Sequence, residues 1–253
     1  MKAVDDRAHL VDVDKLLAEC ARAMGAEVAD DSISDRKALN ADYFFVRHRV
    51  VAELKCLEKD YWGDQAFKER VSAMYASWVA RGLVRPRAGG RFHVQLGNLP
   101  KTCQQEFIAR LRNKLASGVK QANRQIRSVM ESKDALDASG VLILVNDGNP
   151  SLSPPMVRFL LSSLLNNHNR AISMVIHLST NMFVTAPSVG RPVLFWAPWE
   201  IPNRQPVTEG FVEELRENYF RLLSADGAVG EIHTDDNAML EDLQYTRAYF
   251  KPV

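Results

Sequence analysis

The sequence predicts an α/β protein with a mixed central sheet flanked by helices. Three observations carry that expectation. Apolar residues recur at helical spacing over residues 12–24 and 102–131. Between these stretches, residues 41–46 and 50–57 are rich in β-branched and aromatic side chains and read as a hairpin. Gly140-Val141-Leu142-Ile143-Leu144-Val145 is an almost purely aliphatic run, the pattern of a strand buried on both faces.

The elements follow in order. Val13, Leu16, Leu17, Cys20, Ala21 and Met24 form one apolar stripe, and Gly25 stops that first helix. After the polar Asp30-Asp31-Ser32 comes the first strand, then the polar turn Arg47-His48-Arg49, then the second strand. Residues 60–100 interrupt the rhythm with a helix over 66–81 and a basic loop, and they read as a helical insertion. The long helix that follows carries Ile108, Leu111, Leu115, Val119, Ala122, Ile126 and Val129 on one stripe. Asn146-Asp147-Gly148 is a turn after the aliphatic strand, and Pro154-Pro155 open a helix to residue 166. Residues 172–178 and 192–196 are further strands, and 208–223 a last helix. The expectation is a single domain over 1–253, with the insertion at 60–100 and a C-terminal extension at 185–253.

Composition excludes several classes. Hydrophobic residues make up 46% of the 253-residue chain and charged residues 25%, as in ordinary globular domains. A net charge of +1 gives no global field, so any nucleic-acid surface must be a local basic patch. The three cysteines form no CxxC pair, and Cys20 and Cys56 fall in apolar patterns, which fits free thiols in a reducing compartment. No apolar signal region and no run of about 20 apolar residues is visible, so the expected compartment is the cytoplasm, without a membrane partner. The histidines show no metal-type pairing, and there is no P-loop and no GxSxG.

Residues 50–57 would be a continuous apolar strand but for Glu53 and Lys55. Residues two apart on a strand share a face, so these charges point one way and Ala52, Leu54 and Cys56 the other. Unpaired charge in an apolar strand is costly and needs a reason. A hairpin loop with an even number of residues puts Asp42 directly opposite Glu53, with Cβ atoms about 5 Å apart; an odd loop separates them. Two facing carboxylates repel, and a hard divalent cation relieves that repulsion. Lys55 is then placed to orient or deprotonate a water, or to offset charge on a phosphate. The structural alternative is a simple salt bridge between Glu53 and Lys55 on an exposed sheet face.

Asp42, ten intervening residues and Glu53-Leu54-Lys55 resemble the PD-(D/E)xK nuclease superfamily, with Ala41 in place of the proline. The resemblance spans residues 12–180 apart from the insertion, and it implies a restriction-endonuclease-like fold. It also implies Asp42 and Glu53 as ligands of magnesium or manganese and Lys55 as the catalytic lysine. Many members place a Gln or Lys of the following helix at the site, which points to Gln121 or Gln125. Some add an acidic residue from the first helix, for which Glu19 is the first candidate and Glu27 the second.

The long helix carries Arg110, Arg112, Lys114, Lys120, Arg124 and Arg127, and the inserted loop Arg85, Arg87 and Arg91. Arg85, Arg87, Arg91, Lys114, Lys120 and Arg124 are the expected phosphate contacts. The function expected from these features is a magnesium-dependent nuclease hydrolysing phosphodiester bonds, with DNA as the expected partner. The alternative is a catalytically inactive module of the same fold that binds nucleic acid or a partner protein. A homodimer is left open.

Overall fold

The computed structural model describes residues 11–29, 40–85, 96–166, 168–185, 191–223, 231–234, 240–241 and 243–246. Helix α1 spans Val13–Ala23, and the Asp12 side chain caps it by accepting from the Lys15 N–H at 3.1 Å. Strand β1 is Glu27–Val28, β2 Tyr43–Phe45 and β3 Val50–Leu57. Helix α2 spans Gln65–Ala80, α3 Lys101–Ser132, and β4 is Ser139–Asn146. Helix α4 spans Pro154–Leu165, followed by β5 (Met174–Ser179), β6 (Phe183–Thr185), β7 (Leu194–Glu200) and α5 (Phe211–Leu223). Strands β8 (Glu231–His233) and β9 (Gln244–Thr246) complete the described elements. No described helix is long and apolar enough to cross a membrane.

Seven strands form one mixed sheet in the order β1-β2-β3-β4-β5-β7-β8, and β6 pairs with β9 in a small second sheet. The centre is parallel: β3 pairs with β4 from Val50–Ser139 to Leu57–Asn146, and β4 pairs with β5. A parallel neighbour requires a crossover, which α3 supplies between β3 and β4 and α4 between β4 and β5. Strand β7 then runs antiparallel to β5 and parallel to β8. Pro198 is tolerated in β7 because β8 pairs only with residues 194–196 of that strand, leaving β7 an edge at the proline.

Alternation along the strands splits the core into two layers. Tyr43, Phe45, Ala52, Leu54, Val141 and Ile143 face α1 and α5. Phe44, Val51, Leu142 and Leu144 face α3 and α4. The expected α/β architecture is therefore present, and residues 194–223 are built into it. That segment supplies β7 to the sheet and α5 to one of its covers.

The first strand is shorter than its composition predicts. Val46–His48 winds into a 3-10 turn, and Arg49 adopts a left-handed φ of 52°. The turn is also less polar in its surroundings than expected. His48 is buried against the Phe211 ring, and both His48 and Arg47 bond Glu214 of α5.

Close packing of α3 on the sheet depends on Gly140. A Cβ there would stand 1.8 Å from the Ala171 carbonyl oxygen and 2.8 Å from Ile126 Cγ2. Gly140→Ala should therefore cost about 2 kcal/mol or more in urea unfolding, as overpacking against backbone does. Gly118→Ala is the contrast: its Cβ would meet only Lys55 Cδ at 4.0 Å. The better helix propensity of alanine should then raise stability by up to about 1 kcal/mol. Equal effects at the two glycines would contradict this packing account.

Candidate metal centre

The turn between β2 and β3 holds residues 46–49, because Phe45 lies opposite Val50. That even count fixes the register. Phe44 faces Val51, Tyr43 faces Ala52, and one step further Asp42 faces Glu53. Strand β2 has ended at Tyr43, so the next inward amide of β3 lacks a strand partner. Asp42 supplies the substitute: its Oδ2 accepts from the Leu54 N–H at 2.7 Å. In return, the Asp42 N–H donates to Glu53 Oε2 at 3.2 Å. Lys55 Nζ donates to Glu53 Oε1 at 2.6 Å.

Glu53 is 1% exposed, whereas the Lys55 side chain is 25% exposed. The salt bridge that sequence left as an alternative is thus formed, but it is buried at one end and opens into a cavity at the other. Burial, then the facing Asp42, pushes the Glu53 carboxyl up to about 7, against the hydrogen bond and charge of Lys55. Burial raises Asp42 as well, although the Leu54 N–H and Lys55 pull it down. Near neutral pH the pair therefore tends to keep a proton; once both carboxyls are ionised, one lysine does not neutralise them.

Two oxygen donors held this way fit a hard divalent cation. Magnesium is commonly bound by one or two carboxylates, with water and substrate phosphate supplying its remaining ligands. Among the described residues no group of three or more His, Cys, Asp or Glu side chains is placed to hold a metal, so Asp42 and Glu53 would act as a two-carboxylate site.

The helices place the other candidates unevenly. Gln125 donates to the Asn40 carbonyl at 2.9 Å and so ties α3 to the segment that carries Asp42; its Oε1 is buried without a partner. Gln121 is exposed, a full turn away on the solvent side. On α1, Glu19 is exposed and acts electrostatically on Cys20, whereas Asp14 acts on Asp42. Glu27 pairs with Lys133 at 2.6 Å. Asp14 was not singled out in the sequence, although its position two turns before Ala21 on the helix flank was readable there.

The basic residues are not all together: Lys114, Lys120 and Arg124 lie along α3, and Arg85 stands apart. Lys114 lies near Asp64 at 3.7 Å and 5.6 Å from the centroids of the Tyr61 and Phe67 rings. Lys120 and Arg124 share a shallow depression on the flank of α3. Arg85 is exposed, and its carbonyl accepts from the Tyr75 hydroxyl. Arg87 and Arg91 lie outside the described residues. Glu58 and Lys59, which follow β3, and Tyr61 at the start of the insertion border the cavity that Lys55 enters. Helix α2 itself packs along the N-terminal half of α3 through Trp78 and Arg81, which both bond Glu106. Comparisons with protein-family models, with curated proteins and with solved structures return no match.

The raised carboxyls set a pH dependence. Folded Asp42 and Glu53 hold protons more tightly than the unfolded chain does, so stability should fall as pH rises from 4.5 towards about 7. Glu53→Gln should flatten much of that fall in urea melts taken between pH 4 and 8. Magnesium should restore stability at pH 8 in the wild type and not in Glu53→Gln. An equal magnesium shift in both proteins would place the ion elsewhere.

Proposed function

We propose that this chain is a divalent-metal-dependent nuclease that hydrolyses phosphodiester bonds in DNA on a restriction-endonuclease-like core. The observation that carries the reading is the Asp42–Glu53 pair, with Glu53 buried and Asp42 half-buried, opposed across the hairpin beside Lys55. A structural ion pair needs one carboxylate; two facing ones under a single lysine are a destabilising arrangement that a bound cation turns into a ligand set.

The residues divide the work as follows. Asp42 and Glu53 would hold magnesium or manganese, and backbone amides of the opposite strand fix both carboxylates in place. When bound, such an ion would supply positive charge to a phosphate and lower the pKa of a water nucleophile. Lys55 reaches the cavity from the same face as Glu53 and donates to phosphate oxygens, offsetting charge as phosphorus becomes pentacoordinate. The burial of Glu53 keeps bulk water from screening these charges. Gln125 positions the Asp42 segment through the Asn40 carbonyl, and Asp14 adds a third negative charge from α1.

Two measurements test the reading. Calorimetric titration with manganese should show binding to the wild type that Asp42→Asn loses; equal heats in both would remove the ion from this pair. Plasmid nicking and single-strand cleavage in magnesium should fall about a hundredfold or more in Lys55→Ala, as loss of one electrostatic donor does in other enzymes. Its fold should persist, since the lysine tip lies in the cavity and not in the packed layer that holds Leu54. Wild-type rates in Lys55→Ala would make the lysine structural, and a wild type that cleaves no nucleic acid would favour a binding module.

A further inference from the structure

Three depressions on the α3 side of the sheet adjoin one another. The central one, of 320 Å³, is lined by Lys55, Lys59, Lys114 and Tyr61, with Leu142 and Leu144 in its floor. Tyr61 also lines the next, of 370 Å³, where Trp62 and Phe107 stand. Ser117 links the central depression to a third on its other side, where Lys120 and Arg124 lie. Gly118 keeps the middle open, because α3 there presents no side chain towards Lys55.

The two ends differ in chemistry. Lysines and an arginine run along the α3 flank and around Lys55, interrupted by Glu58. At the other end Trp62 is 45% exposed and stacks on Phe107, with centroids 6.4 Å apart and planes 20° apart. The Trp62 backbone is held by the Asp60 carboxylate at 3.0 Å and by Ser151 Oγ at 3.3 Å. Glu241 also lines this depression and disfavours phosphate there. An exposed, braced aromatic beside a cationic groove is the arrangement that stacks unpaired bases and follows a phosphate backbone.

We propose that these three depressions form a track for single-stranded polynucleotide. Phosphates lie along Arg124, Lys120, Lys114 and Lys59, and a base stacks on the Trp62–Phe107 shelf. Single strands fit and duplexes do not. A duplex keeps its base faces stacked inside, so the Trp62 shelf finds no π-face, and the central cavity is at the small end of ligand sites. The track rests on the proposed metal centre only for where the strand would be cut; binding along it is independent of cleavage.

The test is binding by the full chain in EDTA, where no metal-dependent cut occurs. Labelled oligothymidylate, oligouridylate and a duplex of equal length are titrated, and tryptophan emission is read in parallel. Three of the four tryptophans, Trp78, Trp196 and Trp199, are buried, so stacking should quench the signal of Trp62. At least one single strand should bind about tenfold or more tighter than the duplex.

Trp62→Ala should weaken binding by about tenfold or more and abolish the quench, while Trp62→Phe keeps most of the affinity. Gly118→Leu, which fills the central cavity and crowds the Lys55 side chain, should weaken binding without removing a charge. Lys59→Ala, at an exposed site, should lower the slope of log affinity against log salt by about 0.7. Equal affinity for duplex and single strands, or unchanged affinity in Trp62→Ala and Gly118→Leu, would overturn the track. A strand bound in EDTA but left uncut in magnesium would instead overturn the nuclease reading and leave the track standing.

Discussion

Two carboxyl groups face each other across β2 and β3, and the rest of the site is arranged around that confrontation. Like charges at cross-strand distance destabilise a sheet, and burial makes the repulsion worse. Here the register leaves no escape, since a slip of one residue would turn Phe44 and Val51 out of one core layer and Tyr43 and Ala52 out of the other. The pair is contained by the Leu54 amide on Asp42, the Asp42 amide on Glu53 and the Lys55 ammonium on the second Glu53 oxygen. These contacts lower the cost without removing it, and the upward shift of both carboxyls is what remains.

The hairpin turn enforces this geometry from a distance. Arg49 in a left-handed conformation closes the turn, and its side chain is tied to Asp137 just before β4. Arg47 and His48 are tied to Glu214 on α5. The turn is thereby fixed to elements on its neighbours' far ends, and the register it sets is carried along β2 to Asp42. On the other side α3 contributes through two small features. Gly118 leaves room for Lys55, and Gln125 holds the Asn40 carbonyl, two residues from Asp42. The site thus has its charged groups on the sheet side, with α3 shaping the space above them.

Much of this was legible in the sequence, for identifiable reasons. Glu53 and Lys55 interrupt an otherwise apolar strand, and the four residues from Val46 to Arg49 already imply that Asp42 opposes Glu53. A long helix with seven stripe positions and the aliphatic run at β4 are hard to mistake. Strands β1, β6, β8 and β9 were not readable, because two or three residues carry no period and their pairing is decided by distant partners. Helix faces were the other weak point. Gln121 and Gln125 are one turn apart and both border the apolar stripe, yet only Gln125 turns inward. Asp14 and Glu19 are likewise both exposed on α1, and only the position of β2 decides that Asp14 acts on Asp42. Tyr61 and Trp62 form an aromatic pair at the start of an insertion, a signal that was present in the sequence but acquires meaning only next to Lys114 and Phe107.

The central claim is that Asp42 and Glu53 are ligands and not merely a contained pair of acids. It is tested most directly by a crystal soaked in manganese chloride and measured for anomalous scattering. The account predicts a peak within coordination distance of both carboxylates, together with a lengthened contact between Lys55 and Glu53. A manganese peak elsewhere, with the Lys55–Glu53 contact unchanged at 2.6 Å, would contradict it.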